Sequence, residues 1–207
     1  MANDASKIRF APNGAIYIAP APVQGQTGGT TLPVDLGTAG TDPAGYKALG
    51  YVDEGGVTLT PQIETQAINA WQSAVPILYN VQSASFSIKA TLQETNQTTT
   101  ELFWGASWEE TSTGSGIYKL NLSSVPELKE ISIVVDWQEG NIRSRCVVPR
   151  AMISDRGAIQ LVRTENNKYE LTMEAMDYGG QLGYVLTNDA LTAPTGSGSS
   201  TLTKANS

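Results

Sequence analysis

Two adjacent acid pairs, Asp53-Glu54 and Glu109-Glu110, are the first residues whose types suggest chemistry. Paired carboxylates cleave glycosidic bonds when they face one another across a cleft. Neighbours along a strand point to opposite faces, so neither pair supplies that geometry by itself. The chain has no histidine, which removes Ser-His-Asp and Cys-His machinery and any imidazole metal site. Its one cysteine, Cys146, can form no intrachain disulfide or CxxC knuckle, and in an apolar strand it reads as a small buried hydrophobe. No Asp-x-Asp-x-Asp-Gly calcium loop occurs, and Gly114-Ser115-Gly116 lacks the lysine and helix of a phosphate loop. Two sequons, at Asn96 and Asn121, read as coincidences because no secretory signal precedes them.

Binding chemistry is equally sparse. There are 20 Asp and Glu against 13 Lys and Arg, a net charge of −7, and gripping nucleic acid needs the opposite footprint. Arg143, Arg145, Arg150, Arg156 and Arg163 cluster late in the chain. No aromatics interleave with them as a base-stacking reader requires. They are expected either to meet acidic groups on a neighbouring subunit or to be ordinary solvated charge. Trp71, Trp104, Trp108 and Trp137 are dispersed and fit a core or an interface better than a sugar platform. No apolar run is long enough for a membrane-spanning helix. No cofactor, metal or catalytic residue is expected.

The elements that position these residues are mostly strands. GAIYIAPAP (14–22) is a short strand cut by Pro20, and Gly55-Gly56 is read as a hairpin turn between two β-rich runs. From 83 to 93 the sequence alternates, with Ser85, Ser87, Lys89 and Thr91 opposite Phe86, Ile88, Ala90 and Leu92. Thr95-Asn96 and a Thr98-x-x-Glu101 capping box predict one helix over about 96–104, ended by Gly105. Residues 107–116 read as a loop and 117–122 as a short strand. Strands follow over 127–138 and 142–148, joined by Glu139-Gly140-Asn141, with Pro149 closing the second. Turns are expected at 155–157 and 166–167. The last strand sets Tyr169, Leu171, Met173 and Ala175 against Glu170, Thr172 and Glu174. Residues 23–45 form a long Gly/Pro-rich loop with few large apolar groups, a kind that is functional, disordered or ordered by a partner. The predicted fold is mainly β: an antiparallel β-sandwich or split barrel with one short flanking helix. A flexible N-terminus (1–13) and tail (188–207) flank one domain (14–187).

The order of particular phrases carries more than any one motif. GAIYIAP, LGYVDEGGVTLTP (49–61), INAWQSAVPI (68–77), SFSIKATLQETN running into ELFWG, and a closing YELTMEAM span residues 14–185. This series resembles the major tail protein, or tail tube protein, of long non-contractile-tailed bacteriophages of the actinobacteriophage type. The resemblance implies a structural virion protein, made in the bacterial cytoplasm. Six copies form a ring, each giving strands to one β-barrel around a channel. Rings stack into a hollow tube through which DNA passes without specific binding. Other tail proteins (tape measure, distal tail, terminator) are implied partners.

Strands with one long polar face are the candidate channel lining: Gln62, Glu64 and Gln66; Ser85, Ser87, Lys89 and Thr91; Glu170, Thr172 and Glu174. The loop residues Gln24, Thr31, Leu32, Val34, Asp35 and Leu36 are candidates for ring-to-ring contact. Leu102, Phe103, Trp104 and Trp108 are candidates for lateral contact. Competing readings are a capsid decoration or tail terminator subunit, and, with less support, a carbohydrate-binding or hydrolytic β-sandwich.

Overall fold

Alternation at period two generates most of the architecture. The computed structural model describes residues 5–23, 29–125 and 128–190. A 3-10 turn (Ala5–Lys7) precedes β1 (Asn13–Pro20) and the short β2 (Lys47–Ala48). Next come the long β3 (Val52–Ile68) and β4 (Leu78–Leu92), then helix α1 (Gln97–Trp104). The rest are β5 (Trp108–Glu110), β6 (Tyr118–Leu120), β7 (Ile131–Glu139), β8 (Ile142–Arg156), β9 (Tyr169–Ala175) and β10 (Tyr184–Thr187). Near the ends, the Arg9 guanidinium donates to Asp189 Oδ2 at 2.8 Å and Lys7 Nζ to the Ala190 carbonyl at 3.1 Å. Most of the expected tail, 191–207, lies outside the described residues.

The main sheet runs β2-β1-β7-β8-β9-β4-β3, with β10 also on β8, and every pairing is antiparallel. Strand β8 belongs to two half-sheets: it pairs with β7 as far as Ala151 and with β9 from Ala151 to Arg156. Apolar faces of both halves meet in one core. Ile16, Ile133, Val135 and Val148 come from one half, and Ile88, Leu92, Leu171 and Met173 from the other. Phe103 of α1 joins them, edge-on to Tyr169 with ring centroids 5.3 Å apart. The expected antiparallel, sandwich-like fold with one short helix is therefore present. The strand path is open, from β2 at one end to β3 at the other, and does not close into a barrel.

Several local expectations are corrected. Gly55-Gly56 is not a turn: it lies inside β3, where the register jumps between Val52↔Leu92 and Val57↔Ala90. Gly56 takes φ 67°, so the chain bulges and continues instead of reversing. The reversal comes at 69–77, where Ile77 N donates to the Ile68 carbonyl. Pro149 does not end its strand; Ser132 of β7 faces both Pro149 and Arg150, so the proline sits in a bulge. Arg156 still pairs with Leu171, so no turn forms at 155–157. Residues 108–110, read as loop, pair with 118–120 as a separate two-stranded sheet.

The helix forms where expected, on the expected Asn96 cap but without the capping box. Asn96 is extended (φ −111°) and its side chain accepts from Thr99 N at 2.8 Å. Glu101 instead accepts from Gln97 Nε2 and Trp108 N, both at 3.0 Å, so the Thr98-Glu101 box is not used. Gly105 at φ 70° terminates the helix, its N–H on the Glu101 carbonyl. Replacing Asn96 with alanine is expected to destabilise the subunit by about 1 kcal/mol. A lowered urea midpoint at unchanged m-value would show it.

Candidate functional site

The three polar strand faces singled out in the sequence lie on one continuous surface. In register, Gln62 opposes Ser85 across β3 and β4. Ser87 opposes Glu174, Lys89 opposes Thr172 and Thr91 opposes Glu170 across β4 and β9. Glu64 opposes Ser83, whose hydroxyl donates to its carboxylate at 3.1 Å, and the Gln66 and Gln82 side-chain amides bond to each other. The reverse of the same strands carries Ile88, Ala90, Leu171 and Met173 in the core.

Charge on this face is mostly carboxylate, and its lysines are occupied. Lys89 Nζ lies 2.6 Å from Glu170 Oε1. That hydrogen-bonded carboxylate, with Asp155 also nearby, holds the lysine above its ordinary pKa. At the end of the face Lys168 Nζ lies 3.0 Å from Asp53 Oδ1, and this contact pulls the Asp53 carboxyl below its usual range. The surface thus offers hydroxyls, amides and acids, with both ammonium groups already claimed.

Beyond the core, the β3–β4 hairpin continues as an arm. From Pro61 to Ala84 every residue is exposed or nearly so. Its polar side extends the row just described. Its other side extends the core face, with Ile63 68% and Val81 59% exposed. At the tip Trp71 is 97% exposed.

The described part of the Gly/Pro-rich segment is tied to its own subunit through Leu32 and its backbone carbonyls. Tyr46 is buried and, with partly buried Leu32 and Tyr184, packs over Tyr17, Val134 and Val147 on the outer side of β1, β7 and β8. Arg145 is 2% exposed; it makes a bidentate pair with Asp136 (both bonds 2.7 Å) and donates to the Asp35 carbonyl at 3.0 Å. Arg143 donates to the carbonyls of Gly37 and Leu36, and Tyr184 Oη to that of Pro33 at 2.6 Å. Asp35 accepts from Gly37 N at 2.8 Å. Within the subunit Arg145, buried, and Arg143, half-buried, clamp this segment. Arg150 pairs with Glu130 at 2.5 Å in the same chain. Thr31 and Val34 are exposed, Leu36 is half-buried, and Gln24 lies outside the described residues.

At the helix end, Phe103 is buried in the core, Leu102 is half-buried and Trp104 is 42% exposed. Trp108 is partly buried, with Nε1 on Thr100 Oγ1 at 2.8 Å. Cys146 is buried, and burial pushes its thiol up to about 11. Among the described residues no group of three or more His, Cys, Asp or Glu side chains could hold a metal, and no helix is long and apolar enough to cross a membrane. The sequence omitted the clamp because nothing local links 143–145 to 33–37. The charge-free run from Thr65 to Ile88 was the available signal for the arm.

The chain is an open antiparallel β-sandwich with a broad polar face and a protruding arm that exposes apolar side chains. The family model described as phage tail tube protein matches residues 1–197, and the chain belongs to that family. It is a structural subunit of a virion tail. No curated protein matches the chain. Among solved structures it is similar to a chain of the "virion of native gene transfer agent (GTA) particle" at 11% identity and TM-score 0.39, covering 64% of this chain and 85% of that one.

Replacing Arg145 with alanine leaves the Asp136 carboxylate without its partner and frees the Asp35 carbonyl. It is expected to cost about 3 kcal/mol. Limited proteolysis should then cut within 29–45, at sites protected in the parent.

Proposed function

We propose that six copies of this chain form a ring, that rings stack into the tail tube, and that the polar face of β3, β4 and β9 lines its channel. The observation that carries this reading is the merging of three polar strand faces into one surface whose lysines are ion-paired. Phosphate binds where it finds free cations or oriented N–H groups. A face of carboxylates, hydroxyls and amides repels a passing polyanion, so DNA slides along it. Among the described residues no strand pairs with the outer edge of the 17-residue β3. A long free edge invites another strand, and a ring that pairs every such edge removes that liability. The subunit catalyses no reaction in this role. Its partners are its own copies and, at the ends of the tube, the tape measure, distal tail and terminator proteins. The exposed Thr31 and Val34 of the clamped segment remain available for contact between rings, and Trp104 for contact within one.

Electron microscopy of the purified protein, concentrated or seeded with tail fragments, tests the assembly. Hollow tubes of sixfold rings with a DNA-wide bore are expected. Discrete particles of another symmetry would replace this reading with a decoration or terminator role. The lining assignment is tested by reversing Glu64, Glu170 and Glu174 to lysine. Tubes should still form, and DNA ejection from phage carrying the variant should slow several-fold. Unchanged ejection kinetics would remove these residues from the channel wall.

A further inference from the structure

The chain has a net charge of −7, yet one groove on it gathers three cations without a salt-bridge partner. The groove has a volume of about 600 Å³ and is framed by the ends of β1, α1 and β8 and by the approach to β7. Ile18, Leu102, Ile131 and Ile153 form its apolar wall. Lys47, Lys129 and Arg156 reach it from three separate stretches of chain. Among the described residues none of the three lies within 4 Å of a carboxylate. A Cβ built at Gly105 would stand 3.3 Å from the Arg156 guanidinium, so that cation sits at the C-terminal end of the helix. The two acids that line the groove are already engaged. Glu130 is held by Arg150 at 2.5 Å. Glu101 accepts from Gln97 Nε2 and Trp108 N, both at 3.0 Å. Burial raises the Glu101 carboxyl, but those hydrogen bonds and the charges of Lys129 and Lys47 outweigh it and hold the acid below its usual range. One bonded carboxylate does not neutralise two ammonium groups and a guanidinium.

We propose that this groove docks a peptide segment rich in both acids and aliphatic residues, carried by a protein other than this chain. The proposal goes beyond the tube reading and does not depend on it. Charge complementarity selects the occupant. An uncharged apolar segment would strip water from three cations and leave them unpaired, which is costly. A free carboxylate or phosphate would pair with a cation and leave the aliphatic wall wet. A segment that alternates the two characters satisfies both: its aliphatic side chains lie on Ile18, Leu102, Ile131 and Ile153, and its carboxylates meet the rim. The stems of the two lysines add apolar cover while their ammonium groups stay at the edge. Such complementarity sets which partner is accepted and speeds its capture. This chain is a poor source of the segment. Its clearest alternation of acid with apolar residues, Tyr169–Ala175, places Tyr169, Leu171 and Met173 in its own core. Glu109 and Glu110 follow Trp108, whose indole is bonded to Thr100.

The probe is a fluorescein-labelled synthetic peptide of alternating leucine and glutamate, added to the full chain and followed by fluorescence anisotropy. The comparison peptide has lysine in place of glutamate. The expected result is saturable binding of the acidic peptide alone, weakened about tenfold by the paired substitution Lys47→Glu with Lys129→Glu. Both lysines are exposed, so the unfolding midpoint of the variant should shift by no more than about 2 °C. Equal binding of the lysine peptide, no binding of the acidic one, or an unchanged affinity in the variant would each overturn the groove as an acid-reading site. Sedimentation without peptide tests the remaining occupant. If the variant fails to form the assemblies that the unaltered chain forms, the groove takes a second copy and the assignment to a different protein falls. If both assemble alike and only the unaltered chain captures the acidic peptide, the proposal holds. Should neither form tubes even when seeded with tail fragments, the tube reading fails while the docking result stands on the peptide alone.

Discussion

The fold turns on strand β8, which must satisfy two half-sheets with one backbone. Residues 144–147 give one edge to β7 and the other to β10, and past Ala151 the second edge passes to β9. Every backbone donor and acceptor buried there needs a partner. The changeover happens at Pro149, which has no N–H to offer and sits where Ser132 faces two residues at once. The misalignment leaves Ser132 buried with a hydroxyl to satisfy. It donates to the Val148 carbonyl at 3.2 Å and meets Tyr46 Oη at 2.7 Å. Bend, bulge and loop attachment thus share one location.

From that bend follows the asymmetry of the two halves. The β1–β7–β8 half is buried on both sides, under the opposing half-sheet and under the clamped segment. The β9–β4–β3 half is buried on one side only, and its free side is the polar face. Arg145 matters for the first half because its guanidinium is almost wholly buried. Such a group persists only with its carboxylate and carbonyl partners in place. The second half needs no comparable clamp, since its outward residues are polar and hydrated.

What the sequence made legible followed strict alternation or strong punctuation. Strands β4 and β9, the cap region of α1 and the turn at Gly140-Asn141 all carry local signals, and all formed. The polar faces were readable singly; that they join was not, because strand order is set by contacts far apart in the chain. Gly55-Gly56 misled because a bulge and a hairpin ask the same conformational freedom of glycine. The clamped segment misled because backbone carbonyls do the binding, and carbonyls leave no trace in composition. The run ISIVV (131–135) did hold an unused clue: five apolar or small residues without alternation indicate a strand covered on both sides, which is how β7 lies.

The charge-free stretch between Glu64 and Lys89 has a consequence for conditions as well as for contact. Counter-ions weaken attractions between exposed charges over a Debye length of about 10 Å at 0.1 M. A junction built from Trp, Tyr, Val and Ile has no such attraction to lose, and added salt drives apolar surface together if it acts at all. A particle assembled in a cell and then released into dilute or briny surroundings meets large swings in ionic strength. Any contact made through this arm would hold through those swings without adjustment, while the carboxylates on the other side remain hydrated throughout.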